Sequence, residues 1–507
     1  MVKNTKIGKL FIIFLVFIFS FSLRLWNLNE MGRTWDEVAY VERGYRLVEL
    51  VRRGDFTNSY WYEWPDNPPL ARYVYGIFGS FDIDHFFPGG QPVFKYDYTF
   101  ARLASSAASS LSVILVLLMG WKYVSLVVGI IAAIILSTLP FFLGLSQLAT
   151  LESFIMLFFT ASVYALLNFL DKSSKKNLIV AGIMLGLALQ TKFTNFLLIP
   201  LFIWIYLIWF IYNNKKKGKF SNKKGAFIFS IAFFIFFLLW PMPWFHLPDV
   251  AKSIYELRVT TTAHSIPEVF FGRLMFVPKI YYFIQLLITT PLVILLLLLA
   301  GFKRISDKRT WIMYSLIAWF LISFVLSFYN LRQHGVRYII QIYAPLSLIA
   351  AIGFDYIVGK FTKKQFVKLL CFIPILIYMI IILFKISPYY LDYFNGVVGG
   401  TKGVYEKRMF QLGWWGQGLR EAGLFLTENA PKGSKLGIAV SQTSVIPPLP
   451  NLNVSEYKSG ESYDYVMVNH YHVIRDKFND TEIKLKYKPI YNVIADGAYL
   501  VTIYKSN

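Results

Sequence analysis

Cysteine is nearly absent. The single one in 507 residues, Cys371, lies inside an apolar run, which excludes a disulfide framework and a cysteine-based metal site. Charge is scarce as well, 16% of the chain where a soluble domain carries about 25%. Acidic residues are the scarcer sign, 29 Asp+Glu against 51 Lys+Arg. No internal repeat is visible, and the one low-complexity tract is KKKGKFSNKK, which reads as a solvated connection. A chain of this length and so little charge is neither disordered, nor a coiled coil, nor a soluble enzyme. Apolar residues are what it has in quantity: 56% hydrophobic, 18% aromatic, mean hydropathy +0.50. A polytopic membrane protein remains. The net charge of +22 sits in short clusters between apolar runs. That placement reads as membrane topology, and no nucleic-acid partner is expected.

About twenty apolar residues cross a bilayer as a helix. Eleven segments qualify, near 8–25, 99–120, 123–142, 149–170, 177–190, 194–212, 226–242, 280–301, 311–329, 338–358 and 366–386, the fifth being short. The first follows a basic start at Lys3, Lys6 and Lys9 but meets no small-residue cleavage site, so it reads as a retained anchor. With a cytoplasmic N-terminus, the cytoplasmic loops hold 20 Lys+Arg and the outer connections beyond the first large loop hold 7. This asymmetry sets the orientation and puts the C-terminus outside. Two domains are expected: residues 1–386 in the membrane, with a large first outer loop at 26–98, and an extracytoplasmic tail at 387–507. In the tail KLGIAV, YDYVMVN and AYLVTIY alternate with polar turns, as in a small α/β domain.

The first outer loop concentrates the scarce carboxylates, 11 of the 29 between Glu30 and Asp97. Its segment TWDEVAYVERGYRLVELVRR opens with Asp36 and Glu37 and then repeats Val38, Val41, Tyr45 and Val48 at helical spacing. That pattern makes an amphipathic helix on the membrane surface. Thr34 and Glu37 also have capping-box spacing, and Asp36 suits a first helical turn. In WYEWPDNPPLARY, Trp61, Tyr62 and Trp64 serve either an interfacial aromatic belt or stacking on sugar rings. Ionisable residues beside the spans are costly to bury. They are Arg102, Glu152, Lys192, His264, Arg332 and Arg337. Snorkelling explains Arg102, Lys192 and Arg337 singly. The basic-residue asymmetry nevertheless places Asp36, Glu152, Lys192, His264, Arg332 and Arg337 on one membrane face. Paired carboxylates and cations at one interface suit a reaction on an anionic, lipid-linked substrate. The carboxylates activate a hydroxyl or hold a cation, and the cations bind phosphate.

At these residues the chain resembles the GT-C membrane glycosyltransferases. The nearest branch is the protein O-mannosyltransferase type (glycosyltransferase family 39), with the related lipid A aminoarabinose transferases. WDEVAY resembles the family's acidic motif, DNPPLARY its second loop motif, and YDYTFARLASSAAS its next span. SQLATLES resembles its A-x-x-x-D segment but carries Glu152 where Asp is usual. LALQTKFTN resembles its T-K turn and RQHGVRYIIQIYAPL its R-Y-hydrophobic-P segment. PYYLDYFNGVVGGTKGVYEKRMFQLGWWGQGL resembles a signature of many prokaryotic members. The motifs run in order over about 420 residues.

The resemblance implies an all-α polytopic GT-C fold of about eleven spans, interfacial helices in the first outer loop, and the outer α/β domain. It implies an inverting transfer at the outer face, with no metal or only a weak link to one. A sugar leaves a polyprenyl phosphate for an acceptor hydroxyl on protein Ser/Thr, a glycolipid or a cell-envelope glycan. The implied partners are the polyprenyl-phosphate-linked sugar donor, membrane lipid, and an acceptor protein or glycolipid. Asp36 carries over as general base, with Glu37 beside it, and Glu152 orients the acceptor. Lys192, Arg337, Arg332 and Arg102 carry over as donor-phosphate ligands. Asp66, Asn67, Trp64 and His264 are the acceptor- and sugar-binding candidates. A divalent cation, where one is used, falls to Asp36 and Glu152. The competing class is a lipid-linked sugar flippase or transporter, which would carry charge through the depth of its spans.

Overall fold

Prolines and extended residues ahead of them decide where the apolar runs bend. The computed structural model describes residues 6–61, 63, 67–213, 222–249, 251–252, 255–256, 266–328, 334–440, 443–475, 478 and 480–506. Among them, seven helices are long and apolar enough to cross a membrane: Lys6–Leu25, Thr99–Tyr123, Glu152–Asp171, Phe193–Asn213, Trp311–Phe328, Arg337–Val358 and Gln365–Ile386. Two further expected spans are broken. Leu126–Thr138 and Pro140–Ser146 meet at 69°, and Tyr281–Thr289 and Leu292–Lys308 at 117°. At both breaks an extended residue, Leu139 or Thr290, precedes a proline, which disfavours helical backbone there. The remaining two expected spans are helices Lys175–Leu189 and Asn222–Leu238, of 15 and 17 residues. Each of the eleven apolar runs is therefore helical, and among the described residues seven helices, or nine if each bent pair is one span, are long and apolar enough to cross.

The first outer loop folds as two helices, Trp35–Arg53 and Leu70–Gly79, with a short hairpin of β1 (Ile83–Phe86) and β2 (Pro92–Phe94). Pro69 precedes the second helix and Gly54 closes the first in left-handed backbone. The two helices cross at Gly44 and Gly76. A Cβ on either would lie 2.2 Å from a backbone oxygen of the other helix, so only glycine allows this approach. That crossing fixes the helix carrying Asp36. A second hairpin, β3 (Glu268–Phe270) and β4 (Arg273–Met275), lies ahead of the broken span.

The tail builds a five-stranded sheet from β5 (Lys435–Ala439), β6 (Asn453–Glu456), β7 (Tyr465–Asn469), β8 (Tyr487–Ala495) and β9 (Ala498–Ser506), in spatial order β6-β5-β7-β9-β8. β5 runs parallel to β6 and β7, and the β7–β9–β8 half is antiparallel. All five residues of β7 are buried, as a central strand covered on both faces requires. The helix Leu419–Asn429 packs on β8 and β9. The tail is fastened to the first outer loop. Tyr96 donates to the Val445 carbonyl at 2.7 Å, and Arg420 pairs with Glu30 at 3.0 Å and Asp97 at 3.3 Å. The tail and the Asp36 helix thus share one face of the molecule.

Candidate functional site

Four of the expected residues, from four separate segments, meet in one ion-pair chain. Asp36 stands in the first turn of helix Trp35–Arg53. Glu152 is the first residue of Glu152–Asp171. Lys192 caps the start of the 3₁₀ turn Phe193–Leu197, and Arg337 opens the turn Arg337–Ile342. Arg337 Nε donates to Glu152 Oε1 at 2.9 Å, and its Nη2 donates to Asp36 Oδ2. Lys192 Nζ reaches the same Glu152 Oε1 at 3.3 Å. The Glu152, Arg337 and Lys192 side chains are 1%, 5% and 8% exposed, whereas Asp36 is 32% exposed. Two rings complete the cluster. Trp415 stacks on the Arg337 guanidinium at 4.1 Å, and Tyr338 faces Lys192 at 4.5 Å.

The arrangement is electrically balanced, two carboxylates against two cations, with its open end at Asp36. Asp36 Oδ1 has no hydrogen-bond partner among the described residues, and the side chain as a whole is 32% exposed. A divalent cation does not fit between the two carboxylates as they stand, because the Arg337 guanidinium already bridges them. Among the described residues, no three His, Cys, Asp or Glu side chains cluster as metal ligands.

Glu37 and Arg102 form a separate, sealed pair. Arg102 Nε and Nη2 each donate to Glu37 at 2.7 Å, and Arg102 Nη1 and Nη2 also bond the carbonyls of Leu28 at 2.9 Å and Gly32 at 2.5 Å. Glu37 additionally accepts from Thr34 N–H and Ala149 N–H, both at 2.9 Å. Burial pushes its carboxyl up, but the Arg102 guanidinium and these hydrogen bonds outweigh burial and hold it below the ordinary range. With both side chains fully enclosed and their polar atoms occupied, Arg102 has no face for a phosphate and Glu37 none for a substrate. As placed, the pair joins the loop after the first span to the span Thr99–Tyr123. Capping alone gives Glu37 about 0.5–2 kcal/mol. Leaving one member of a buried pair alone costs about 3–5 kcal/mol. Arg102→Ala is therefore expected to lower the thermal unfolding midpoint far more than a lost helix cap would, measured in detergent. An unchanged midpoint would show that the pair holds nothing together.

The other candidates fall elsewhere. Asn67 sits beside a small cavity shared with Trp61, Arg72 and Trp240, and its carbonyl accepts from Arg72 at 3.3 Å. Trp64, Asp66, His264 and Arg332 lie outside the described residues.

The sequence reading did not single out Glu268, Tyr281 or Asp392, and it quoted Trp415 only within a family signature. Glu268 is 3% exposed, and burial pushes its carboxyl up to about 7 despite its hydrogen bonds. Asp392 is 1% exposed, accepts from Gly413 N–H at 2.7 Å and is likewise pushed by burial to about 7. His334 is pushed down to about 3 by burial and by the Arg337 and Arg475 charges, so its ring is neutral where it lies flat on Trp414, centroids 4.5 Å apart. Charge next to apolar spans was a signal for Glu268 and Asp392, Asp392 and Trp415 both lie in the PYYLDYF…WWGQGL segment, and His334 lies in the turn that carries Arg337.

A helical bundle with apolar candidate spans, a helix pair bearing an acidic site in the loop after the first of them, and a small C-terminal sheet domain together match the GT-C fold. Comparison with known proteins agrees. Residues 88–240 match the family model described as dolichyl-phosphate-mannose-protein mannosyltransferase, a stretch that includes Glu152 and Lys192. The structure resembles ArnT from Cupriavidus metallidurans, solved with undecaprenyl phosphate bound, with a TM-score of 0.53 over 98% of both chains at 11% identity. It also resembles the Archaeoglobus fulgidus oligosaccharyltransferase, with a TM-score of 0.51 over 100% of this chain and 75% of that one at 12% identity. In sequence it is 25% identical over 210 residues to dolichyl-phosphate-mannose–protein mannosyltransferase 1 of Saccharomyces cerevisiae, covering 37% of this chain. The match spans only 25% of the length of that curated relative.

Proposed function

We propose that this protein is an inverting glycosyltransferase that moves a sugar from a polyprenyl-phosphate donor to an acceptor hydroxyl. The acceptor belongs to a protein Ser/Thr, a glycolipid or a cell-envelope glycan. One observation carries the reading: a buried chain of alternating charges, Lys192–Glu152–Arg337–Asp36, whose accessible end is the Asp36 carboxylate, with one oxygen that has no partner among the described residues. The ligand named with the Cupriavidus ArnT structure, undecaprenyl phosphate, is the donor's leaving group in this reading.

The roles follow from the charges. The acceptor hydroxyl approaches Asp36, whose free oxygen takes the proton as the C–O bond forms. The sugar leaves its phosphate with inversion, because nucleophile and leaving group occupy opposite sides of the anomeric carbon. A departing phosphate is a weak base, so it needs stabilised charge more than a strong acid. Arg337 supplies a planar fork and Lys192 a point charge for it. Glu152 balances both cations before the donor arrives. It thereby keeps two buried positive groups side by side that would otherwise repel each other.

Two measurements test this reading. Lys192→Ala is expected to weaken binding of polyprenyl phosphate about tenfold or more, the loss of one charge-assisted contact. A cation that merely snorkels to the interface would leave that affinity unchanged. The second measurement concerns orientation in the plasma membrane. With the N-terminus cytoplasmic, a reporter fused after Asn507 should behave as extracytoplasmic and one inserted between residues 213 and 224 as cytoplasmic. A cytoplasmic C-terminal reporter would put the site on the wrong side for an outer-face reaction.

A further inference from the structure

Arg337 bridges two carboxylates from a backbone that enters the site at a defined angle. That angle is set by the preceding turn, where His334 and Gly335 both adopt left-handed backbone, φ 55° and 62°. The conformation is strained for histidine and persists only where the surroundings over-determine it. Here they do. His334 N–H donates to Glu268 Oε1 at 2.7 Å, and Gly335 N–H donates to the Tyr281 hydroxyl at 2.9 Å. The Tyr281 hydroxyl in turn donates to Glu268 Oε2 at 2.6 Å. Both oxygens of one buried carboxyl are thus committed, directly and through a phenol, to two consecutive backbone amides. The neighbouring rings repeat the pattern: Trp414 lies flat on His334, and Trp415 on the Arg337 guanidinium.

Neither Glu268 nor Tyr281 belongs to the charged chain of the site. Both are buried, on elements distant in sequence from Arg337, the hairpin strand β3 and the first arm of the broken span. A carboxyl enclosed at 3% exposure carries a desolvation penalty, and here its hydrogen bonds go to the turn ahead of Arg337.

We propose that Glu268 and Tyr281 are positioning residues for the transfer reaction: together they clamp the His334–Gly335 turn and so aim the Arg337 fork. The proposal rests on the glycosyltransferase reading above. A misplacement of about 1 Å can cost roughly 10²-fold in rate, so the clamp's effect falls on turnover more than on the affinity for the donor lipid.

The test is a double-mutant cycle on the full-length protein in detergent. It measures transfer from a polyprenyl-phosphate sugar per folded molecule and, separately, the affinity for free polyprenyl phosphate. Glu268→Ala should lower turnover by roughly 10–100-fold, and Tyr281→Phe by several-fold, with smaller changes in lipid affinity. Glu268→Gln should restore most of the loss. Its carbonyl still accepts from His334 N–H, and its amide can donate to the Tyr281 oxygen. Arg337→Lys removes the fork while keeping the charge. In that background, Glu268→Ala should lower turnover no more than about twofold further, since a residue acting through Arg337 cannot act where the fork is gone. Equal losses in both backgrounds, or a lower unfolding midpoint with unchanged turnover per folded molecule, would overturn the clamp. A wild-type protein that transfers no sugar would overturn the glycosyltransferase reading and the clamp with it, whereas an active wild type with additive losses overturns the clamp alone.

Discussion

Asp36→Asn is expected to reduce sugar transfer by about 10²–10⁴-fold, the range general-base catalysis contributes. The substitution keeps the size of the side chain and one carbonyl oxygen, which can still accept from Arg337 Nη2. It removes the charge and the ability to hold a proton. Asp36 is the exposed end of the site, so its loss strands no deeply buried charge. Stability should move by about 1 kcal/mol or less, as for a partly exposed ion pair. Affinity for polyprenyl phosphate should stay close to that of the wild type or rise slightly, because Arg337 loses a competing carboxylate. Transfer rate, lipid titration and unfolding midpoint on the same preparation separate these effects. A near-normal rate would remove Asp36 from the role of base.

The Arg337 variants should show the largest combined effect. Arg337 is paired to both carboxylates and stacked on Trp415. Arg337→Ala leaves the 1%-exposed Glu152 carboxylate with Lys192 alone, and leaves Asp36 unpaired. Breaking a buried pair costs about 3–5 kcal/mol, so this variant should unfold at a clearly lower temperature as well as lose transfer. Arg337→Lys is the sharper probe. It keeps one positive charge and should fold, but a point charge cannot reach both carboxylates and the phosphate with a planar fork. Transfer should fall by tens-fold with a smaller change in stability. If Arg337→Lys transfers sugar as fast as the wild type, the fork is irrelevant to the chemistry.

The four residues of the charged chain were legible in the sequence because each is an ionisable group beside an apolar run, and membrane burial makes such groups conspicuous. Basic-residue asymmetry placed them on one face, and the structure brings them together. The helical character of all eleven apolar runs was legible for the same reason. Where the runs bend was not. Leu139 and Pro140, and Thr290 and Pro291, lie inside stretches whose hydropathy is continuous, and hydropathy carries no direction. Glu37 and Arg102 were read toward chemistry because charge beside a span looks the same whether it meets substrate or another side chain. Only the geometry shows that the two enclose each other. Glu268 and Tyr281 were missed for a related reason. Their partners are backbone amides at His334 and Gly335, and a sequence says nothing about which amides lack a helical partner. The parallel β6-β5-β7 edge of the tail could not be ordered either, since strand-like runs show no pairing.

In the proposed reaction the Asp36-to-Lys192 chain transfers a sugar from a polyprenyl phosphate. Its most direct test is to incubate the purified full-length protein with a radiolabelled polyprenyl-phosphate sugar and a crude cell-envelope acceptor fraction. Free polyprenyl phosphate and labelled acceptor are followed together, for the wild type and Asp36→Asn. Equimolar release of polyprenyl phosphate and gain of labelled acceptor are expected from the wild type, with both lost in Asp36→Asn. Equal activity in the two proteins would contradict the proposed reaction, as would movement of the intact lipid-linked sugar across vesicles without cleavage.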